Sequence, residues 1–242
     1  MHDEAENDEW RLREVQGLKM LDRSFGFFYE DMGFGPPVAV RAVPHETLNC
    51  YRGRLPDKLL AYWAAYGFAG YGEGLFWMTD PDEYALVLEQ WIKGTPFDGT
   101  DKYHVIGRTA FGKLFIWGEK TGPCMKILPA WAMIFPRSTP TPIAPEEADF
   151  LIATWLSGMD KENLDEMDEN EVPLFKRALR TLGKLEVDEI YGFVPALSIG
   201  GAARLNHLQR VKAIEHLTLL AHLGPPQVMR DVVKEAKDAG LW

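Results

Sequence analysis

Residues 55–84 read LPDKLLAYWAAYGFAGYGEGLFWMTDPDEY. Large rings crowd this stretch, and Gly67, Gly70, Gly72 and Gly74 break it up, yet it holds no cysteine, histidine or serine. Each ring can bury ~150–250 Å², and the glycines permit tight turns and close backbone approach. The segment therefore reads as packing, not as a reaction centre. Pro56 followed by Leu59, Leu60, Tyr62, Trp63 and Tyr66 predicts an amphipathic helix closed by Gly67. Leu75 to Met78 predicts a strand. Asp80 then stands as the N-cap of a second helix, with Pro81 at its first position and Glu83 placed to complete a capping box. Trp63, Tyr66 and Trp77, like Tyr191 further on, are expected in the core.

Working outward, Val105–Thr109, Lys113–Trp117 and Met125–Leu128 predict an antiparallel meander turned at Phe111-Gly112 and at Gly118–Gly122. Upstream, Trp10 to Met20 suggests a short helix after an acidic tail. The proline-rich run PRSTPTPIAPEE at residues 136–147 marks the best boundary in the chain. Beyond it, helices are predicted over Glu146–Leu156, Leu174–Leu182, Leu205–Leu223 and Gln227–Ala239, the third from apolar residues spaced by three. The expected class is α+β: an antiparallel sheet with packed helices in the N-terminal part and a mainly helical C-terminal part. Expected units are residues 10–135, 145–225 and a C-terminal helix over 226–242.

The 242 residues carry 36 Asp and Glu against 26 Lys and Arg, a net charge of −10. Such a field repels nucleic-acid phosphate and anionic membranes and attracts basic partners. Cys50 and Cys124 lack metal or redox spacing; one bridge is compatible with them, and two buried free thiols in a reducing cytosol are expected. The opening MHDEAENDEW has no apolar signal core, and no apolar run reaches the ~20 residues that span a bilayer. A cytoplasmic location is the expectation.

Motifs for chemistry fail on inspection. Gly118-Glu119-Lys120-Thr121-Gly122 has Glu where a phosphate loop needs Gly. Ala196-Leu197-Ser198-Ile199-Gly200 lacks the first glycine of a nucleophile elbow. The histidines form no HxH or HExxH pair, and no cofactor or metal is expected. One charge feature stands out. From Glu146 to Glu171 the chain carries a run of acids relieved only by Lys161. Such a run is either a solvated face or a patch that docks on a basic protein. Asp160, Glu162, Asp165, Glu166, Asp168 and Glu169, with Glu73 in the glycine-rich loop, are the candidate partner-binding residues.

The 55–84 stretch together with YHVIGRTAFGKLFIWGEKTG (103–122) resembles the GAD-like domain of bacterial proteins. PLFKRALRTLGKLEVDEIYGFVPALSIGGAARLNHLQRVKAIEHLTLLAHL (173–223) is similar to the C-terminal domain of type VI secretion immunity proteins, which protect a cell against its own DNase effector. The resemblance covers roughly residues 15–130 and 145–225. It implies an antitoxin without catalysis, whose partner is the cognate DNase effector; from the net charge, direct contact with nucleic acid or membrane is not expected. Two other readings stay open: a hydrolase or small-molecule-binding enzyme using Ser198 or an interdomain cleft, and a regulatory scaffold with no toxin.

Overall fold

The computed structural model describes residues 14–15, 18–137 and 142–229. In chain order, β1 (Glu14–Val15) and β2 (Leu18–Lys19) form a short hairpin, followed by α1 (Arg23–Gly26) and a π-helical turn over Phe27–Asp31. Next come β3 (Val38–Arg41), α2 (His45–Tyr51), α3 (Asp57–Tyr66), β4 (Phe68–Tyr71), β5 (Phe76–Met78) and α4 (Pro81–Ile92). Strands β6 (Tyr103–Thr109), β7 (Leu114–Gly118), β8 (Gly122–Leu128) and β9 (Met133–Pro136) complete the meander. The remainder comprises α5 (Pro145–Ser157), α6 (Lys161–Leu164), α7 (Phe175–Leu182), β10 (Glu189–Phe193), β11 (Leu208–Lys212), α8 (Ala213–Ala221) and β12 (Gln227–Val228). The class is α+β.

Eight strands join in the order β12-β9-β8-β7-β6-β5-β4-β3, antiparallel except for the parallel β12–β9 pair. The two sheet faces bury different residue sets, because alternate side chains of a strand point to opposite faces. One face carries α1, α3 and α5 over Trp63, Phe76, Phe115 and Trp117. The other carries α4 and α8 over Val105, Leu114, Ile116 and Ile127. Trp91 of α4 is wholly buried, and its indole N–H donates to the Leu217 carbonyl of α8 at 3.1 Å. Residues before and after the proline-rich run thus share both cores. The β10–β11 hairpin closes over the β6–β7 turn, where the Tyr191 N–H donates to the Ala110 carbonyl at 2.8 Å. Arg108 strengthens this seam from inside. Its guanidinium lies 4.8 Å from the Trp77 ring and donates to the Val187 carbonyl at 2.8 Å.

Several local signals are realised where the sequence placed them. Gly67 ends α3 at φ +73°, where an added Cβ would lie 2.4 Å from the Arg41 carbonyl oxygen. The Asp80 carboxylate caps α4 through the Asp82 N–H at 3.1 Å. Trp63, Tyr66, Trp77 and Tyr191 are all buried. The expected capping box does not close, because Glu83 turns to the Arg41 guanidinium at 2.5 Å.

Three expected helices are corrected. Glu14–Val15 and Leu18–Lys19 pair as strands; residues 10–13 and 16–17 of that expectation lie outside the described residues. Leu205–His207 is a 3₁₀ turn and 208–212 is strand β11, so only Ala213–Ala221 is α-helical. The apolar spacing of three there is overridden by pairing with β10, locked by Glu189 on Arg210 at 2.6 Å and Asp188 on Lys212 at 2.6 Å. Gln227–Val228 adds to the edge of the main sheet; residues 230–239 of the expected last helix lie outside the described residues.

Candidate protein-binding surface

The acidic run begins where α5 ends. Asp160 is the N-cap of the single-turn α6, accepting from the Glu162 N–H at 3.1 Å and from the Asn163 side chain at 2.9 Å. Buried Leu164 anchors this turn. Asp165 then turns inward, and its Oδ1 accepts the N–H groups of Glu166 at 2.7 Å and Phe175 at 2.8 Å. Burial raises its pKa even so. Glu166 faces Lys113 at 3.9 Å and accepts from the Trp131 indole N–H at 3.2 Å. Burial raises the Glu166 pKa and lowers that of Lys113, since each charge loses water that its partner only partly replaces.

Asp168 closes the next turn. Its Oδ1 accepts from Asn170 N–H at 2.9 Å and Val172 N–H at 3.1 Å, while Oδ2 meets Arg177 at 2.5 Å. That guanidinium holds the carboxyl below its usual range. Glu169 pairs with Arg204 at 2.7 Å. Glu73, at φ +61° in the β4–β5 turn, pairs with Lys176 of α7. Of the candidate acids, Glu73, Asp165, Glu166, Asp168 and Glu169 are therefore engaged within the chain. Asp160 and Glu162 are exposed and face no cation at ion-pair distance among the described residues. Asp160 through Glu169 follow one another on α6 and the loop after it, interrupted at the surface by buried Leu164; Glu73 reaches α7 through Lys176.

The structure adds apolar residues that the sequence reading missed. Trp131, in the 3₁₀ turn between β8 and β9, is 40% exposed although its indole is bonded to the acidic loop. Its turn packs against the 3₁₀ turn at Leu197–Ile199, and Ile199 is 60% exposed. Met167 and Val172 are also exposed, on the acidic loop itself. A tryptophan between two strands ordinarily signals core, so nothing in the one-dimensional pattern separates Trp131 from its buried counterparts.

Behind Lys113 and Asn163 the same surface opens into a groove of about 580 Å³ between α5 and the β7–β9 face. Phe115 and Trp155 lie along it, and Lys126, Arg137 and Phe135 stand at its side.

Residues of the motifs weighed for chemistry are bonded elsewhere or exposed. The N–H groups of Lys120 and Thr121 in the 118–122 turn are taken by the Asp101 carboxylate, at 3.1 Å and 3.0 Å. Ser198 is exposed in a 3₁₀ turn, with no hydrogen-bonded histidine or carboxylate among the described residues. His104 bonds Glu119 at 2.9 Å, whereas His207 and His222 contact backbone carbonyls. Among the described residues no group of three or more His, Cys, Asp or Glu could hold a metal ion, and no helix is long and apolar enough to cross a membrane. Cys50 and Cys124 are both free thiols, but only Cys124 is buried; Cys50, expected to be buried as well, is exposed on α2.

Comparison with known proteins matches this architecture. Residues 23–130 match the family model of the GAD-like domain, and residues 150–224 match that of the T6SS immunity protein Tdi1, C-terminal domain. No curated protein matches the chain. Among solved structures, Atu4351 from Agrobacterium tumefaciens is 25% identical, with a TM-score of 0.74 over 84% of this chain and 93% of that one. The chain thus carries a GAD-like domain followed by the C-terminal domain of type VI secretion immunity proteins.

Proposed function

We propose that the chain is an immunity protein that neutralises a cognate type VI DNase effector by forming a stoichiometric complex with it, covering the active site or blocking access of DNA. The match of residues 150–224 to a type VI immunity domain supports the immunity role. The DNase part rests on electrostatics and on the resemblance in sequence. A nuclease presents basic residues to phosphate, and a chain of net charge −10 opposes that surface.

One observation carries the choice of surface: Trp131, Ile199 and Met167 stand exposed beside the acidic loop. Interfaces of about 1,600 Å² draw most of their affinity from a few such anchors, while charges govern on-rate and partner choice. Asp160 and Glu162 are then the steering carboxylates. Asp165, Glu166, Asp168 and Glu169 hold the loop in shape, and Glu73 with Lys176 braces α7. Neither catalysis nor a cofactor is needed.

The test is co-expression with the effector encoded beside the gene, together with titration of a catalytically inactive effector. The intact chain protects the cell and binds tightly. Trp131→Ala is expected to weaken binding ~30-fold, the effect of losing a hot spot of about 2 kcal/mol. Cell death despite the intact chain would refute the function, whereas full affinity in the variant would move the interface elsewhere.

A further inference from the structure

The groove beside the acidic loop has the opposite chemistry. Phe115, Lys126 and Phe135 sit in directly paired register on β7, β8 and β9, so their side chains share the α5 face of the sheet. The Lys126 ammonium lies 5.8 Å from the centre of the Phe115 ring, a cation–π contact that holds it over the groove floor. Trp155 of α5 meets Phe115 edge-on at 5.7 Å and forms the facing wall. On the same helix Phe150 is 70% exposed, four residues before Thr154 of the groove lining.

Around the acidic loop, Lys113 pairs with Glu166, Lys176 with Glu73, Arg177 with Asp168 and Arg204 with Glu169, while Lys161 donates to the Gly33 carbonyl at 2.6 Å. Lys126 and Arg137 are exposed and have no carboxylate partner among the described residues. Two unspent cations over an apolar floor, in a chain of net charge −10, select an apolar group that carries negative charge. The groove is continuous with the acidic loop through Lys113, whose ammonium donates to the Asn163 carbonyl at 2.7 Å. One bound protein can therefore span both.

We propose that this groove receives a segment of the effector presenting a large apolar side chain next to a carboxylate, while the acidic loop meets the basic surface of the same effector. The proposal rests on the effector-binding reading above and adds a second contact of opposite sign. Its volume of about 580 Å³ falls within the range of clefts that enclose a compact group.

The experiment uses the full chain, a catalytically inactive effector and the double variant Lys126→Glu/Arg137→Glu. Calorimetric titration should show binding weakened roughly tenfold, as expected for reversing two partly exposed contacts, with an unchanged melting temperature. If the reversals unfold the chain, Lys126→Ala/Arg137→Ala gives the same comparison. A second measurement uses anilinonaphthalene sulfonate, an anionic aromatic probe: its fluorescence in the wild-type groove should fall when effector is added and be lost in the double variant. Unchanged affinity in the variants, or dye that effector leaves in place, would overturn the groove contact and leave the function standing. Failure of the wild-type chain to bind effector would remove both.

Discussion

Replacing Asp165 separates acids that build the surface from acids that present it. Its Oδ1 satisfies two backbone N–H groups, at 2.7 and 2.8 Å, and the second of these, from Phe175, belongs to the first residue of α7. Hydrogen bonds to a charged group contribute about 1.5–3 kcal/mol each. The two here share one oxygen, and the raised pKa of Asp165 shows that its burial already has a desolvation cost. A net loss of about 2–3 kcal/mol is therefore expected for Asp165→Ala, below the sum of two independent bonds. For a chain of this length that corresponds to a fall in melting temperature of roughly 5–10 °C. Asp165→Asn keeps an oxygen acceptor and should lose about 1 kcal/mol. Glu162→Lys, at an exposed position, should stay within about 0.5 kcal/mol of wild type in stability while slowing effector association at low salt. Thermal unfolding followed by circular dichroism reads the first effect and stopped-flow association the second. An Asp165→Ala protein that melts within 1 °C of wild type would refute the assignment of this carboxylate to the frame.

Other outcomes follow from the same contacts. Gly67→Ala forces a Cβ against the Arg41 carbonyl at positive φ and should cost about 1–3 kcal/mol or more in chemical denaturation. Lys113→Met and Glu166→Met should each destabilise, because each strands a largely buried charge; the double variant should recover at least about 1 kcal/mol of their sum, and strict additivity would deny the coupling. Burial lowers the His216 pKa, and burial outweighs Glu119 in lowering that of His104. Folded chains then bind fewer protons than unfolded ones below the ordinary value of 6.5, so their stabilising contribution is complete above pH 6.5 and lost as pH falls through the lowered folded values. Each histidine adds a slope of at most about 1.4 kcal/mol per pH unit. His216→Gln should flatten the acid limb of a stability–pH curve, and an unchanged limb would exclude that histidine.

What was legible in the sequence was local. Asp80 and Pro81 start α4, and Gly67 stops α3 through the conformation of a single residue. The β6–β7 and β7–β8 turns likewise announce themselves within a few positions. Leu205, Leu208 and Val211 misled because a spacing of three fits a helix, whereas the deciding partner is β10, some twenty residues earlier in the chain. The same holds at Gln227–Val228, whose ladder partner on β9 is remote. Charges suffered most. Glu162 and Asp165 are three residues apart and alike in sequence, yet one is exposed and the other is tied to two backbone amides. Only tertiary contacts distinguish them, and the same is true of exposed Trp131 beside buried Trp117 and Trp91.

Internal pairing of the acids strengthens the case for a binding face. A loop of free carboxylates would repel itself and require ordering at the moment of association, at about 0.5–1.5 kcal/mol per immobilised side chain. Here Asp165 and Asp168 have already fixed the backbone, and Arg177 and Arg204 cancel part of the repulsion. If this face binds the effector as proposed, it offers a shaped surface with its apolar anchors in place, and affinity gained there would show mainly as a slow off-rate. The cationic groove next to it adds discrimination. A uniformly basic protein would be attracted to the acidic loop but would set its own cations against Lys126 and Arg137. Only a partner with both signs in the right order satisfies the whole face, and mismatch of this kind is how an interface rejects near relatives.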